Sequence, residues 1–232
     1  MLYFAIGLAI VLGLLAYWEL VIAEGAHLGP RVVVWLYDIT AGRYDGIKQF
    51  DLKVEADTLG LPLAMELAAL NASDVPDGPR VLDVAAGTGR VARALLRQPL
   101  FDGRLTQTEL SARMLAEGRR KCAAWPERLD WVRAPAVPLP FADNTFDAVT
   151  CLEALEFLPD ARATLAECVR VLRPGGLLLV TNRMGPDAWL LPGMVLSPAA
   201  FQRRLEALPL EAIQVEPWQV EYDLGWAKKK RM

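Results

Sequence analysis

Residues 81–90 read Val-Leu-Asp-Val-Ala-Ala-Gly-Thr-Gly-Arg, a short apolar run that stops at a pair of glycines. The run has the character of a strand buried on both faces. Gly87 and Gly89 permit a tight turn and a close backbone approach to a ligand, and the helix expected next would offer unpaired N–H groups at its start. No other segment constrains the fold as much, because a strand feeding a helix through a glycine turn opens a parallel βα unit. The alternation continues downstream. A helix is expected over about 90–97, a strand over 104–110, a helix over 111–121 and strands over 129–133 and 146–151. A further helix over 160–172 should stop at Arg173-Pro-Gly-Gly176, ahead of a strand over 177–181. The expected fold is therefore α/β, with a mostly parallel sheet covered on both faces.

A second constraint lies at the N-terminus. Residues 2–18 carry no charge, and the apolar run resumes after Glu19 as far as Ala23. At about 1.5 Å per residue such a helix approaches the roughly 30 Å of a bilayer's hydrocarbon core. Tyr3 and Phe4 stand at one end and Tyr17 and Trp18 near the other, where interfacial aromatics sit. A cleaved signal peptide would also present Val21-Ile22-Ala23, but the segment lacks an N-terminal Lys or Arg and is long for such a leader. A buried core helix fits less well, since polar alternation is missing. Residues 1–23 are read as an uncleaved transmembrane anchor. Arg31, Arg43, Lys48 and Lys53 follow it and no basic residue precedes it, which puts the bulk of the chain in the cytoplasm. Ala5, Ala9 and Gly13 recur every fourth residue, a face suited to helix–helix self-association.

Between anchor and sheet, residues 24–79 read as a connector and helical cap, with 44–79 part of the same globule as 80–232. Residues 31–37 look like a short strand or an interfacial segment carrying Trp35 and Tyr37. Residues 56–70 favour a helix that Pro62 must start or break. Residues 71–79 are a turn-rich linker. His27 reads as a linker residue. Three cysteines, Cys122, Cys151 and Cys168, show no metal-ligand spacing and read as small buried hydrophobes. The net charge of −3 excludes a basic field that would collect nucleic acid. The run Lys228-Lys-Lys-Arg231 reads as a solvated terminus, or as an element that turns the pocket mouth toward acidic lipid.

Taken alone, Gly87-Thr-Gly89-Arg-Val-Ala92 also fits a dinucleotide fingerprint, so a nicotinamide-dependent oxidoreductase is a rival. Asp83, two positions before the turn, sits awkwardly beside a pyrophosphate and suits a cofactor bearing an ammonium and a sulfonium. Leu139-Pro-Phe-Ala-Asp-Asn-Thr-Phe-Asp-Ala-Val149 and Glu167-Cys-Val-Arg-Val-Leu-Arg-Pro-Gly-Gly176 complete an ordered set. With these motifs the chain resembles the class I S-adenosylmethionine-dependent methyltransferases, especially the quinone-biosynthesis C-methyltransferases, from about Tyr44 to the C-terminus. The resemblance implies a doubly wound, Rossmann-like sheet of seven strands, with a final antiparallel pair near 213–218 and 220–227. It implies S-adenosyl-L-methionine as cofactor, held by Asp83, Ala85, Gly87, Thr88 and Gly89, with Ala85 replacing the family's first glycine. Glu109 would accept hydrogen bonds from both ribose hydroxyls, and Leu110 and Met114 would flank the adenine. Pro135, followed by Ala136, stands where the family has an Asp that reaches the adenine amino group. Cys151 and Leu152 would line the pocket through their backbone, and Tyr44 and Lys48 resemble a segment covering the cofactor. Glu156 is the one candidate base, in the place of a family His; an exposed helix glutamate is the alternative. Residues 182–198, with Trp189, Leu190, Leu191, Met194 and Val195, are expected to form a substrate-side lid or an ordinary packing loop. The expected acceptor is small and apolar or membrane-resident. A tethered binding protein without catalysis remains the other reading.

Overall fold

The computed structural model describes residues 1–70 and 78–231, so most of the linker expected over 71–79 lies outside it. Seven strands form one sheet in the order β3-β2-β1-β4-β5-β7-β6. They are β1 (Arg80–Val84), β2 (Arg104–Glu109), β3 (Leu129–Arg133), β4 (Phe146–Cys151), β5 (Leu172–Arg183), β6 (Leu210–Trp218) and β7 (Tyr222–Lys229). The first five run parallel; β7 is antiparallel to β5 and to β6. Successive residues of each strand enter opposite layers, as the two-residue period requires. Val81, Leu105, Ala148 and Leu177 join one core, and Leu82, Val149 and Leu178 join the other.

The first core is covered by α5 (Leu61–Leu70) and α6 (Arg90–Leu95), through Leu63, Leu67, Val91 and Leu95. The second is covered by α8 (Ala161–Val171) and α9 (Pro198–Glu206), through Leu165, Cys168, Phe201 and Leu205. Capping explains where these helices begin. Asp160 Oδ1 accepts from Ala163 N at 2.9 Å, and Ser197 Oγ accepts from Ala200 N at 3.3 Å. Ser111 Oγ, accepting from Met114 N at 3.1 Å, starts α7 (Ala112–Lys121) on the β2–β3 side.

Three expectations are corrected. Residues 31–37 are not a strand but lie in a helix, α2 (Pro30–Thr40). The β-branched run Val32–Val34 suggested extended chain, but Pro30 in the first turn and packing on the cavity side override that preference. The Arg-Pro-Gly-Gly run does not precede the fifth strand; it bulges within β5, which pairs Leu172 with Phe146 and resumes with Leu177 opposite Ala148. Pro62 sits in the first turn of α5, as expected. The chain runs through α4 (Leu52–Glu55) and a wide turn over Ala56–Gly60 into α5, and Leu61 N–H reaches back five residues to Ala56 O.

The basic run is the third. Lys228 and Lys229 belong to β7, and Lys229 Nζ donates to Val169 O and Leu172 O, both at 2.7 Å. Lys228 pairs with Leu177 near the start of the parallel stretch, whereas Tyr222 pairs with Arg183 at its end. The run therefore sits at the sheet edge opposite the carboxyl ends of the strands, and it orients no pocket there.

At the N-terminus, α1 (Leu2–Tyr17) continues through a wide turn to Ile22, giving one apolar helix of 21 residues. Its side chains through Tyr17 are exposed. The helix closes when Gly25 N–H bonds Glu19 O at 2.8 Å, with Glu24 and Gly25 both at positive φ. Below it, His27 stacks on Trp18 with ring centroids 5.1 Å apart and approaches Glu19 Oε2 at 3.0 Å through Nδ1. His27 is thus a tie at the foot of the helix rather than a free linker residue.

Candidate active site

Strand order reverses between β1 and β4, so a crevice opens where their carboxyl ends diverge. A cavity of about 450 Å³ lies there. The glycine turn supplies its floor. Ala85, Ala86, Gly87 and Thr88 line it, and Gly89 closes the turn at φ +78°, with Trp131 and Cys122 packed where its side chain would be. A Cβ on Gly87 would meet nothing within 4 Å. Backbone is therefore open to the cavity at that point, as a close-approaching ligand needs.

On the β2 side stand Glu109, Leu110 and Met114, with Pro135 and Ala136 beyond β3. Glu109 is buried and rigidly held: Oε2 accepts from Gly87 N at 3.0 Å, and Oε1 accepts from Leu110 N and Ser111 N, both at 2.8 Å. Burial raises its pKa, while these N–H groups oppose the shift by favouring the carboxylate. A carboxylate has about four acceptor directions, so about one is left for a ribose hydroxyl rather than two. On the β4 side the walls are mostly apolar, through Leu152, Ala154, Phe157 and Leu158, with Glu153, Asp160 and Thr164 also lining them.

Three expected cofactor residues do not line the cavity. Asp83 lies just behind it, 2% exposed, with Oδ1 accepting from Thr150 Oγ1 at 2.7 Å. Burial pushes its carboxyl up to about 7. Gly89 shapes the turn from outside the lining, and Cys151 packs into the core beside Leu82 and Val180. Glu156 is not an exposed helix residue. It is 2% exposed in a short turn after β4, accepts from Tyr222 Oη at 3.0 Å, and is raised to about 7 by burial. It too stands outside the lining.

The expected lid at 182–198 is also displaced. None of Trp189, Leu190, Leu191, Met194 and Val195 reaches the cavity. Leu190 O instead accepts from Trp18 Nε1 at 2.9 Å, and Pro192 O lies 3.3 Å from His27 Nε2, so the loop packs against the foot of α1. The cover comes from upstream. Pro30, Val33, Val34 and Tyr37 of α2 line the cavity, together with Tyr44 of α3 (Tyr44–Ile47) and Phe50. Tyr37 packs edge-on against both Tyr44 and Phe157. Lys48 does not line the cavity; it pairs with Glu24 at 3.0 Å.

Two polar clamps fasten this cover, and sequence reasoning missed both. Asp45 accepts from Thr88 Oγ1 at 2.6 Å and from Arg93 Nη1 at 2.7 Å, and pairs with Lys121 at 2.9 Å. Burial favours its neutral form, but those donors outweigh it and hold the carboxyl below its usual range. Arg90, buried at the first turn of α6, bonds Glu55 through two atoms and Glu153 through a third. Its guanidinium also faces the Phe50 and Trp218 rings at 4.4 and 4.8 Å. The sequence showed only an Arg at the expected start of a helix.

Comparison with known proteins agrees with this geometry. A methyltransferase-domain family profile matches residues 82–180. The ubiquinone/menaquinone biosynthesis C-methyltransferase of Hahella chejuensis is 31% identical over 180 residues, covering 77% of this chain and 68% of that protein. Its counterpart in Roseobacter denitrificans is 35% identical over 147 residues, covering 60% of this chain and 58% of that protein. The chain spans about three-fifths of the length of several such relatives. Among solved structures, a methyltransferase from Aquifex aeolicus, described as dependent on S-adenosylmethionine, superposes with a TM-score of 0.56 at 20% identity, over 78% of this chain and 99% of that one. That likeness shows the fold. Taken with the Hahella relative and the ordered motifs, the chain belongs to the class I S-adenosylmethionine-dependent methyltransferase family.

Proposed function

We propose that this protein transfers a methyl group from S-adenosylmethionine to a small apolar acceptor of quinone-like or lipid-like chemistry, working from the cytoplasmic face of a membrane. The observation that carries the reading is the two-sided cavity, with the glycine turn and Glu109 on one side and mostly apolar walls on the other. When bound, the cofactor supplies an electrophilic methyl group on a sulfonium. The protein's residues position it: Glu109 offers a fixed acceptor toward the ribose, Leu110 and Met114 offer apolar surface to the adenine, and Asp83, bonded by Thr150, buttresses the turn from behind. Tyr37, Tyr44, Phe50 and Phe157 exclude water, which favours an in-line displacement that needs alignment more than proton transfer.

The activity for which the Hahella and Roseobacter relatives are named, C-methylation in quinone biosynthesis, supports the acceptor class. The exposed apolar helix supports single-pass attachment through residues 1–23, and the basic residues that follow it support a cytoplasmic domain. Calorimetry on the full chain in detergent should show binding of S-adenosylmethionine and S-adenosylhomocysteine and none of NAD. Glu109→Gln, which keeps one acceptor oxygen, should weaken binding by about 1.5–3 kcal/mol, or roughly tenfold or more. Preference for NAD would overturn the assignment. Comparison of quinone and lipid pools from cells with and without the protein would identify the acceptor, and protease protection in vesicles would test the side.

A further inference from the structure

We infer that α2 lies on the lipid surface and is the wall through which a bilayer-resident acceptor reaches the cavity. This rests on the reading of residues 1–23 as a membrane anchor. A helix at the surface of a soluble domain carries one apolar stripe toward the core and a polar stripe outward. Helix α2 departs from that pattern. Pro30, Val33, Val34 and Tyr37 line the cavity, while Arg31, Trp35 and Ile39, at four-residue spacing, form the outer face. Trp35 and Ile39 are 55% and 54% exposed.

What covers that outer face follows from how α2 is attached. The 21-residue apolar helix ends at Ile22, and the chain doubles back so tightly that a Cβ on Gly25 would lie 2.9 Å from Val32 Cγ1 and 3.0 Å from Leu36 Cδ1. The foot of the anchor is thus packed directly on α2. If the helix spans a bilayer, at about 1.5 Å per residue its C-terminal end stands at the interface, and α2 must stand there with it. The exposed Leu28 lies in the same reversal, and the exposed Trp189 adjoins Leu190, which accepts the Trp18 hydrogen bond. A tryptophan, an isoleucine and an arginine on one face suit the headgroup boundary: the indole and aliphatic chain enter it, and the guanidinium meets lipid phosphate. An acceptor leaving the lipid would cross one helix and never enter water.

The test uses the full chain in vesicles of phosphatidylcholine and phosphatidylglycerol, with spin labels at Trp35→Cys, Ile39→Cys and, as a control, Glu127→Cys. Glu127 is exposed just before β3, at the sheet edge away from the cavity. Flotation reports anchoring, and relaxation by oxygen against an aqueous nickel chelate reports immersion. Labels at 35 and 39 should favour oxygen and the label at 127 should favour nickel. A chain that floats while position 35 is as accessible to nickel as position 127 would overturn the inference and leave the anchor standing. A chain that does not float would overturn both.

A Trp35→Ser, Ile39→Ser variant should still float and bind cofactor normally. It should lose several-fold in turnover of a long-chain bilayer acceptor while keeping turnover of a short-chain soluble one. Equal losses on both acceptors would make the face merely structural. If the native chain methylated neither acceptor, the proposed function would fall, and the label measurements would still decide where α2 lies.

Discussion

Arg90 meets Glu55 edge to edge, with Nε 2.7 Å from Oε2 and Nη2 2.7 Å from Oε1. Both side chains are under 10% exposed, and the pair ties α4 of the cover to the helix that follows the glycine turn. Glu55→Ala should therefore cost stability near the lower end of about 3–5 kcal/mol, because Glu153 still partners the guanidinium. A urea midpoint that falls without a change in slope would show it. Cofactor affinity should fall as well, since the cover would no longer be held over the turn. An unchanged midpoint would mean that the rings of Phe50 and Trp218 and the Glu153 carboxylate suffice to hold Arg90.

Ala85 occupies the left-handed region at φ +56°, at the position where the family carries glycine. A side chain there costs about 1–2 kcal/mol, and glycine would return about 0.4–1 kcal/mol of that through the unfolded chain. Ala85→Gly should raise stability by up to about 1.5 kcal/mol, since those effects oppose each other. Thermal denaturation would register it. Cofactor binding should be kept or improved, because the substitution also frees space in the cavity.

Asp83 and Glu156 have carboxyls raised to about 7 by burial, above ordinary values of 3.8 and 4.5. A group with a raised folded-state pKa binds more protons folded than unfolded between those limits, so its contribution to stability is lost as pH climbs toward 7. Glu156→Gln keeps an acceptor oxygen for Tyr222 without the ionisation. Its stability relative to the native chain should rise across the window from about 4.5 to about 7 and level off above it. Urea titrations at pH 5 and pH 8 would measure the difference, and an equal difference at both would show that Glu156 titrates normally.

Gly60 touches α6 so closely that an added Cβ would lie 2.3 Å from Ala94 O, a backbone atom that cannot swing aside. Gly60→Ala should cost about 1–3 kcal/mol by forcing the helices apart. Gly46→Ala is the matched control, since nothing lies within 4 Å of the added carbon. Melting temperatures of the two variants should diverge clearly.

The sheet was largely legible in the sequence, because buried parallel strands advertise themselves as apolar runs between turn residues. Strands β3 and β4 begin and end where that pattern places them. The cover was less legible. Val32–Val34 has strand chemistry, and Pro30 in the first turn together with packing against the cavity makes it helical. Arg90 could be read as a helix start, but its partners Glu55 and Glu153 are 35 and 63 residues away, and no local pattern encodes such pairings. Lys229 misled for the same reason: a run of basic residues resembles a solvated tail until strand pairing carries one of them under the carbonyls of Val169 and Leu172.

The wide turn between α4 and α5 also has a bearing on how the chain tolerates change in length. Steps of four residues overshoot a helical turn by about 40° each, so Glu55, Leu59, Leu63 and Leu67 would drift around a regular spiral by about 120° in all. One extra residue in the turn takes back about 100° and leaves all four on the buried side. The turn thus contains a spare residue. Thr58 is exposed there, with its hydroxyl bonded to Val54 O at 2.8 Å. Deleting it should let the spiral close to ordinary pitch with Leu63 and Leu67 still facing the sheet. A deletion at Met65, past the turn, has no such slack to draw on and would swing Leu67 out of the core.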